Sequence, residues 1–155
     1  METYKYNSVV MAKYIVAFAN ERQISINVTK IQKLLYIFYG LYLAVKNVHL
    51  INEHPQAWPY GPVFPTTRNK LVKMNLYSIT MDDAELDNIK QDVSINKLAT
   101  LVFNTFGSWS ANQLSEWSHQ EGSPWQHTIS AQDFKWGEPI DDELIKSYFK
   151  TIIIW

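Results

Sequence analysis

His119 and Glu121 stand two residues apart, with His127 just beyond the Ser123-Pro124-Trp125 turn. A histidine beside a carboxylate is the least that acid–base or metal-assisted hydrolysis requires. Beyond that pair the chemistry thins out. No two of the four histidines, His49, His54, His119 and His127, take the i, i+4 spacing that puts two ligands on one helical face. The absence of cysteine excludes thiolate metal sites, disulfides and cysteine nucleophiles. Five glycines, at 40, 61, 107, 122 and 137, are too far apart for a phosphate-cradling loop. Asp82, Asp83, Asp141, Asp142 and Glu143 sit where helices begin, and capping explains them. The expectation is no catalytic residue, no cofactor and no metal, with a small hydrolase at His119/Glu121 as a remote alternative.

Lys30, Lys33, Arg68, Lys70 and Lys73 could gather into a patch for nucleic acid. Residues 1–75 carry nine Lys/Arg against three Asp/Glu, a balance of +6; residues 76–155 carry five against twelve, −7. A pI near 6.4 lies well below that of dedicated nucleic-acid binders, and these five are spaced like a solvated helix face. That argues against nucleic acid and leaves protein recognition. Trp58 and Tyr60 occupy a proline-braced loop, and Trp125 follows Ser-Pro. They are stiff aromatics outside helix interiors, of the kind that anchors interfaces or, equally, pins loops to a core. The acidic half is expected to steer a basic partner protein.

The elements that position these groups are mostly helical. With 155 residues, 46% apolar and 19% charged, the chain makes one domain, 1–155, with a sizeable core. It carries no signal-like N-terminus, and its most apolar uncharged run, 34–45, falls short of the roughly 20 residues of a membrane span. A cytoplasmic protein is expected, with no membrane partner. Val9, Ala12, Ile15, Val16 and Ala19 predict a helix over Ser8–Arg22, capped by Ser8. Ile31, Leu34, Leu35, Phe38, Leu41, Tyr42 and Val45 line one face of a second, Thr29–Lys46, and Tyr36, Ile37, Tyr39 and Leu43 carry the apolar surface nearly all round. Such a helix is buried on nearly all sides.

The fold class is therefore mainly α, a single compact helical domain around the buried central helix, about 29–46. Pro55, Pro59, Gly61, Pro62 and Pro65 make His54–Pro65 a loop. A short strand at Gln56–Trp58 fits there, pairing with alternating Tyr77, Ile79 and Met81 as one two-stranded β element. Further helices are predicted from Pro65 to about Met74, from Asp82 or Asp83 to Gly107 with a break near Ser94 left open, and from a Ser110 cap to about Gln120. Ser123 caps another and Asp141 a last one, Asp142 to about Lys150; residues 130–139 read as loop. The apolar ending Thr151–Trp155 either docks on the core or offers a partner an extended segment.

Ile31-Gln32-Lys33-Leu34-Leu35-Tyr36, continuing into Gly40-Leu41-Tyr42-Leu43-Ala44, resembles the LQKLLYFAQGWYLA helix of the Panacea domain family, also called SocA-like antitoxin or phage-associated GepA-like protein. Ala57-Trp58-Pro59-Tyr60-Gly61-Pro62-Val63 resembles its EAWxYGPV loop, with Gln56 where an acid is common and Pro59 where a polar residue is. Leu114-Ser115 to Trp125 is similar to its LsxxtHxExSPW segment, and Ala12-Lys13-Tyr14-Ile15 to its VAKYIL opening. The likeness covers about residues 8–150.

The resemblance implies an antitoxin of a bacterial or phage toxin–antitoxin pair, not an enzyme, that neutralises its cognate toxin by direct binding. A second implied reading is a proteolysis adaptor that delivers the toxin to an AAA+ protease. The motif cluster it singles out is Trp58, Tyr60, Gly61, Pro62, His119, Glu121, Ser123, Pro124 and Trp125.

Overall fold

The computed structural model describes residues 3–152. The chain runs β1 (Tyr4–Tyr6), α1 (Ser8–Glu21), α2 (Val28–Lys46), β2 (His49–Ile51), β3 (Gln56–Trp58), β4 (Gly61–Val63) and α3 (Pro65–Leu71). Two 3-10 turns follow, Leu76–Ser78 and Ala84–Leu86, then α4 (Asp87–Lys90), α5 (Val93–Phe106), α6 (Ala111–Ser118), α7 (Pro124–Ile129) and α8 (Asp142–Lys150). The domain is mainly α, as its periodicity predicts.

Helix α2 is the axis of the core. Asn27 caps it by accepting from Lys30 N, and every residue from Lys30 to Leu43 is buried. The two ends emerge: Thr29 in the first turn is exposed, and so is Val45 in the last, which was expected inside. Helices α1, α5, α6 and α8 and strands β2 and β4 all pack against it. A ladder of rings joins three of those helices to the axis: Tyr36 meets Phe149 edge-on at 5.4 Å, Phe149 lies 6.2 Å from Trp117, and Trp117 lies 5.4 Å from Phe106. Edge-on aromatic pairs of this kind contribute about 0.5–1.5 kcal/mol beyond the area they bury.

The β content differs from expectation. The strand at Gln56–Trp58 exists, but its partner is Gly61–Val63, in antiparallel register Gln56↔Val63 and Trp58↔Gly61. A hairpin thus lies inside the predicted loop. Residues 76–78 form a 3-10 turn instead of an edge strand: Ile79 N donates to Leu76 O, and Asn20 Nδ2 donates to both Leu76 O and Ile79 O and pins the turn to α1. A second, parallel pair, β1 with β2, had no signal in the alternation. The other edge of β3 is closed by residues 137–140, through Ala57 N to Glu138 O at 2.8 Å and Gly137 N to Ala57 O at 2.9 Å.

The helix boundaries mostly follow the caps. Ser110 with Gln113 forms a full capping box, and Ser123 and Asp141 cap α7 and α8. Helix α1 is capped by Asn7, whose side chain accepts from Val9 N and Val10 N, so Ser8 is its first residue and is buried. The long segment expected from Asp82 to Gly107 breaks at Gln91–Asp92, where Asp92 caps α5. Glu53 caps α3 from a distance, accepting from Thr66 N and Thr67 N. Of the apolar ending, Ile152 packs against the core, while Ile153, Ile154 and Trp155 lie outside the described residues.

At the α2–α8 crossing, a Cβ added to Gly40 would overlap the ring of Phe149, which is fully buried. Alanine normally favours a helix interior by about 1 kcal/mol over glycine. Here overpacking dominates, so Gly40→Ala should lower unfolding free energy by about 1–3 kcal/mol in urea denaturation. A stabilised Gly40→Ala protein would contradict the α2–α8 contact.

Candidate functional site

The β3–β4 hairpin and the α6–α7 corner meet over one face of α2. Pro59 and Tyr60 form the two-residue turn. Pro59 holds its φ near −65°, which rules out the mirror-image turns that usually close short hairpins. The positive φ falls instead on Gly61, at 112°. A Cβ there would lie 2.6 Å from Ser118 Oγ and 2.9 Å from Lys33 Cε. Only glycine lets the hairpin backbone sit this close to α2 and the end of α6.

Trp125, in the first turn of α7, donates from Nε1 to Trp58 O at 2.7 Å. His119, the C-cap of α6, stacks on the Trp125 ring at 3.9 Å and 19°. Ser123 and Pro124 are the buried cap and first residue that aim Trp125 at the hairpin. The structure therefore gathers Trp58, Tyr60, Gly61, Pro62, His119, Ser123, Pro124 and Trp125 into one cluster. Glu121 is exposed on the turn between α6 and α7 and shares no hydrogen bond or ion pair with His119 among the described residues. No group of three or more His, Cys, Asp or Glu that could hold a metal occurs among the described residues.

Beneath the hairpin lies a set of groups that the spacing argument misread. Lys30 and Lys33, read above as part of a solvated basic face, are buried; Arg68, Lys70 and Lys73 are exposed. Lys33 is only 1% exposed and donates to Pro62 O at 3.1 Å, while Lys30 donates to Gly107 O at 2.7 Å. Neither meets a carboxylate among the described residues. Gln32 accepts from Phe64 N at 2.7 Å, and its Nε2 is buried with no acceptor among them. His119 Nε2 is likewise buried without a partner among the described residues. Burial, with Lys33 alongside, lowers the His119 pKa, opposed by the Tyr60 backbone. The signal for Lys33 was available: a lysine inside a helix that is apolar on every side has no solvent face to occupy.

Around this floor the cluster presents aromatic surface. Tyr60 is 74% exposed and Trp136, 56% exposed, lies 6.3 Å from Trp125. Arg68 places its guanidinium 5.7 Å from the Trp58 ring centre. Trp136 was not singled out by any motif, because it belongs to the 130–139 loop, which closes on β3 only in three dimensions.

Burial pushes the Lys33 ammonium down from its ordinary 10.5 to about 8. Between these values the unfolded chain binds more protons than the folded one, so stability rises with pH. Above about pH 10 the buried hydroxyls of Tyr14 and Tyr36, pushed upward by desolvation, reverse the trend, since the unfolded state then loses protons the folded state keeps. Wild type should therefore gain about 1–2 kcal/mol on Lys33→Met between pH 7.5 and 9.5 in urea titrations. A pH-independent difference would place Lys33 in water.

A family model described as antitoxin SocA-like, Panacea domain, matches residues 31–126. That stretch runs from the first turn of α2 through the hairpin to α7, and covers more than half of the chain. No curated protein and no solved structure matches the sequence. No helix among the described residues is long and apolar enough to cross a membrane. Through its Panacea domain, the chain belongs to the SocA-like antitoxin family.

Proposed function

We propose that this protein is an antitoxin that neutralises the toxin encoded beside it by binding it directly, as a folded domain, through the hairpin face. The observation that carries the reading is the display of Tyr60 and Trp136 on a backbone held rigidly from several sides. Interface hot spots are enriched in Trp, Tyr and Arg, and stiff groups lose little entropy on binding. Tyr60 projects from a proline-braced turn, Trp125 and residues 137–140 tie that turn down, and Arg68 completes the trio of residue types. The toxin is the partner. Occlusion of its working surface is the mechanism, in the cytoplasm where both are made.

The acidic half supports less of this than its charge count suggests. Asp83 and Glu85 hold Lys13, Asp87 holds Lys90, and Asp92 accepts from the Tyr6 hydroxyl. Asp141 caps α8, and Asp142 binds the Tyr39 hydroxyl and His49. Half of the twelve acids thus have partners within the fold.

Expressed alone, the adjacent gene should arrest growth, and co-expression with this chain should restore it. Tyr60→Ala should leave the melting temperature within about 2 °C, because exposed side chains contribute little to stability. The same variant should weaken the purified complex by about tenfold or more. A harmless neighbour, or toxicity that co-expression leaves in place, sinks the proposal. A toxin half-life shortened by this chain would replace occlusion with delivery to an AAA+ protease.

A further inference from the structure

Between the hairpin, α2 and α3 lies a cavity of about 200 Å³, lined by Val28, Thr29, Gln32, Lys33, Trp58, Tyr60, Val63 and Arg68. Its charged side chains are both cationic, Lys33 and Arg68, and Gln32, whose oxygen accepts from Phe64 N, keeps a buried Nε2 whose N–H donors have no partner among the described residues. No carboxylate lines the cavity or pairs with Lys33 or Arg68 among the described residues. Buried charges are as a rule paired, because an isolated one forfeits its hydration. The floor holds one buried charge, Lys33, and the exposed Arg68 stands at the wall, with no carboxylate among the described residues to match either.

We propose that this cavity is the docking site for a carboxylate side chain of the partner protein, carried on a segment whose apolar neighbours lie on Trp58 and Tyr60. The inference rests on the antitoxin reading and adds to it where the partner is gripped and by what chemistry. A Glu or Asp entering from the Tyr60 side meets the forked donors of Arg68 at the wall and the Lys33 charge at the floor. Hydrogen bonds between ionised groups are roughly twice as strong as neutral ones, and exclusion of water by the aromatic walls strengthens them further. Size separates the candidate anions. Small-molecule and cofactor sites occupy about 300–1,000 Å³, so this cavity is too small for a nucleotide, while a single acidic side chain fits. Rim chemistry agrees, since Tyr60 and Trp58 supply the apolar border that shields a buried ion pair at a protein interface.

The position of Lys33 also explains how the site stays ready. Its donation to Pro62 O uses one of three ammonium protons. It therefore anchors the hairpin and still has donors for an incoming oxygen. Because it stays largely protonated at neutral pH, a carboxylate seated above it gains a charged partner without any proton transfer.

The test compares binding of the adjacent gene product to wild type, Lys33→Met, Arg68→Gln and, as a surface control, Lys73→Gln. The expected losses of affinity are at least tenfold for Lys33→Met, several-fold for Arg68→Gln and less than twofold for Lys73→Gln, with melting temperatures recorded for each. If Lys33→Met fails to fold, Arg68→Gln against Lys73→Gln decides. Wild-type affinity retained by both cavity variants, or an equal loss in Lys73→Gln, overturns the proposal while leaving the antitoxin reading intact. A wild-type chain that binds no neighbouring product removes that reading instead. The carboxylate chemistry is then decided on the free chain, by following the Lys33 side-chain NMR signal with N-acetyl-glutamate methylamide, its glutamine counterpart and inorganic phosphate. The glutamate probe should raise the pH midpoint of Lys33 and the glutamine probe should not. No response to glutamate, or a larger one to phosphate, rejects the assignment.

Discussion

A helix without a solvent face must find a partner for every polar group it carries, and α2 carries three such groups in its first turns. Lys30, Gln32 and Lys33 each reach the backbone of another segment, Gly107 O at the end of α5, Phe64 N after the hairpin and Pro62 O within it, and only Gln32 Nε2 is left without a partner among the described residues. Hydrogen bonds to charged groups contribute about 1.5–3 kcal/mol net, and leaving such a group unpaired costs more. These side chains therefore act as clamps. They fix where the α5–α6 corner and the hairpin can sit relative to the axis, and the apolar packing of α1 and α8 fills what remains.

The hairpin illustrates what that constraint achieves. Two strands of three residues have marginal stability alone. Here the backbone at Gly61 presses onto α2 and Ser118, the indole of Trp125 donates into Trp58 O, and residues 137–140 close the outer edge. Each restraint comes from a different part of the chain. Together they hold the Pro59-Tyr60 turn in one conformation, so the backbone that carries the exposed ring of Tyr60 is ordered before any partner arrives. Rigid display of this sort favours binding over folding stability, since a surface tyrosine adds little to the latter.

The same arrangement accounts for motifs that look unrelated along the chain. The Gln32-Lys33 pair, the Trp58–Val63 stretch and the Ser123-Pro124-Trp125 turn lie far apart in sequence, yet all three contribute to one junction. Histidine belongs to that junction as a stacked plate on Trp125. Its Nε2 is buried, and Glu121 stands apart from it in solvent, so the spacing that first suggested acid–base chemistry does not bring the two groups into contact.

The features legible along the chain were local or periodic. The apolar pattern of 29–46 implied an axis buried on all sides, and Ser110, Ser123 and Asp141 marked helix starts, because capping depends on neighbours only a few residues away. The family motifs were readable for the same reason. Tertiary structure alone decided the pairings. Strand β3 pairs with Gly61–Val63, while Asn20 pins residues 76–79 to α1 as a 3-10 turn. Lys30 and Lys33 moved from an expected solvated face to the interior because acceptors from distant backbone were waiting there. Trp136 joined the aromatic surface only when its loop closed on β3. Periodicity reports which face of an element is apolar, but not which backbone groups another segment will bring against it, and the candidate site is built from those encounters.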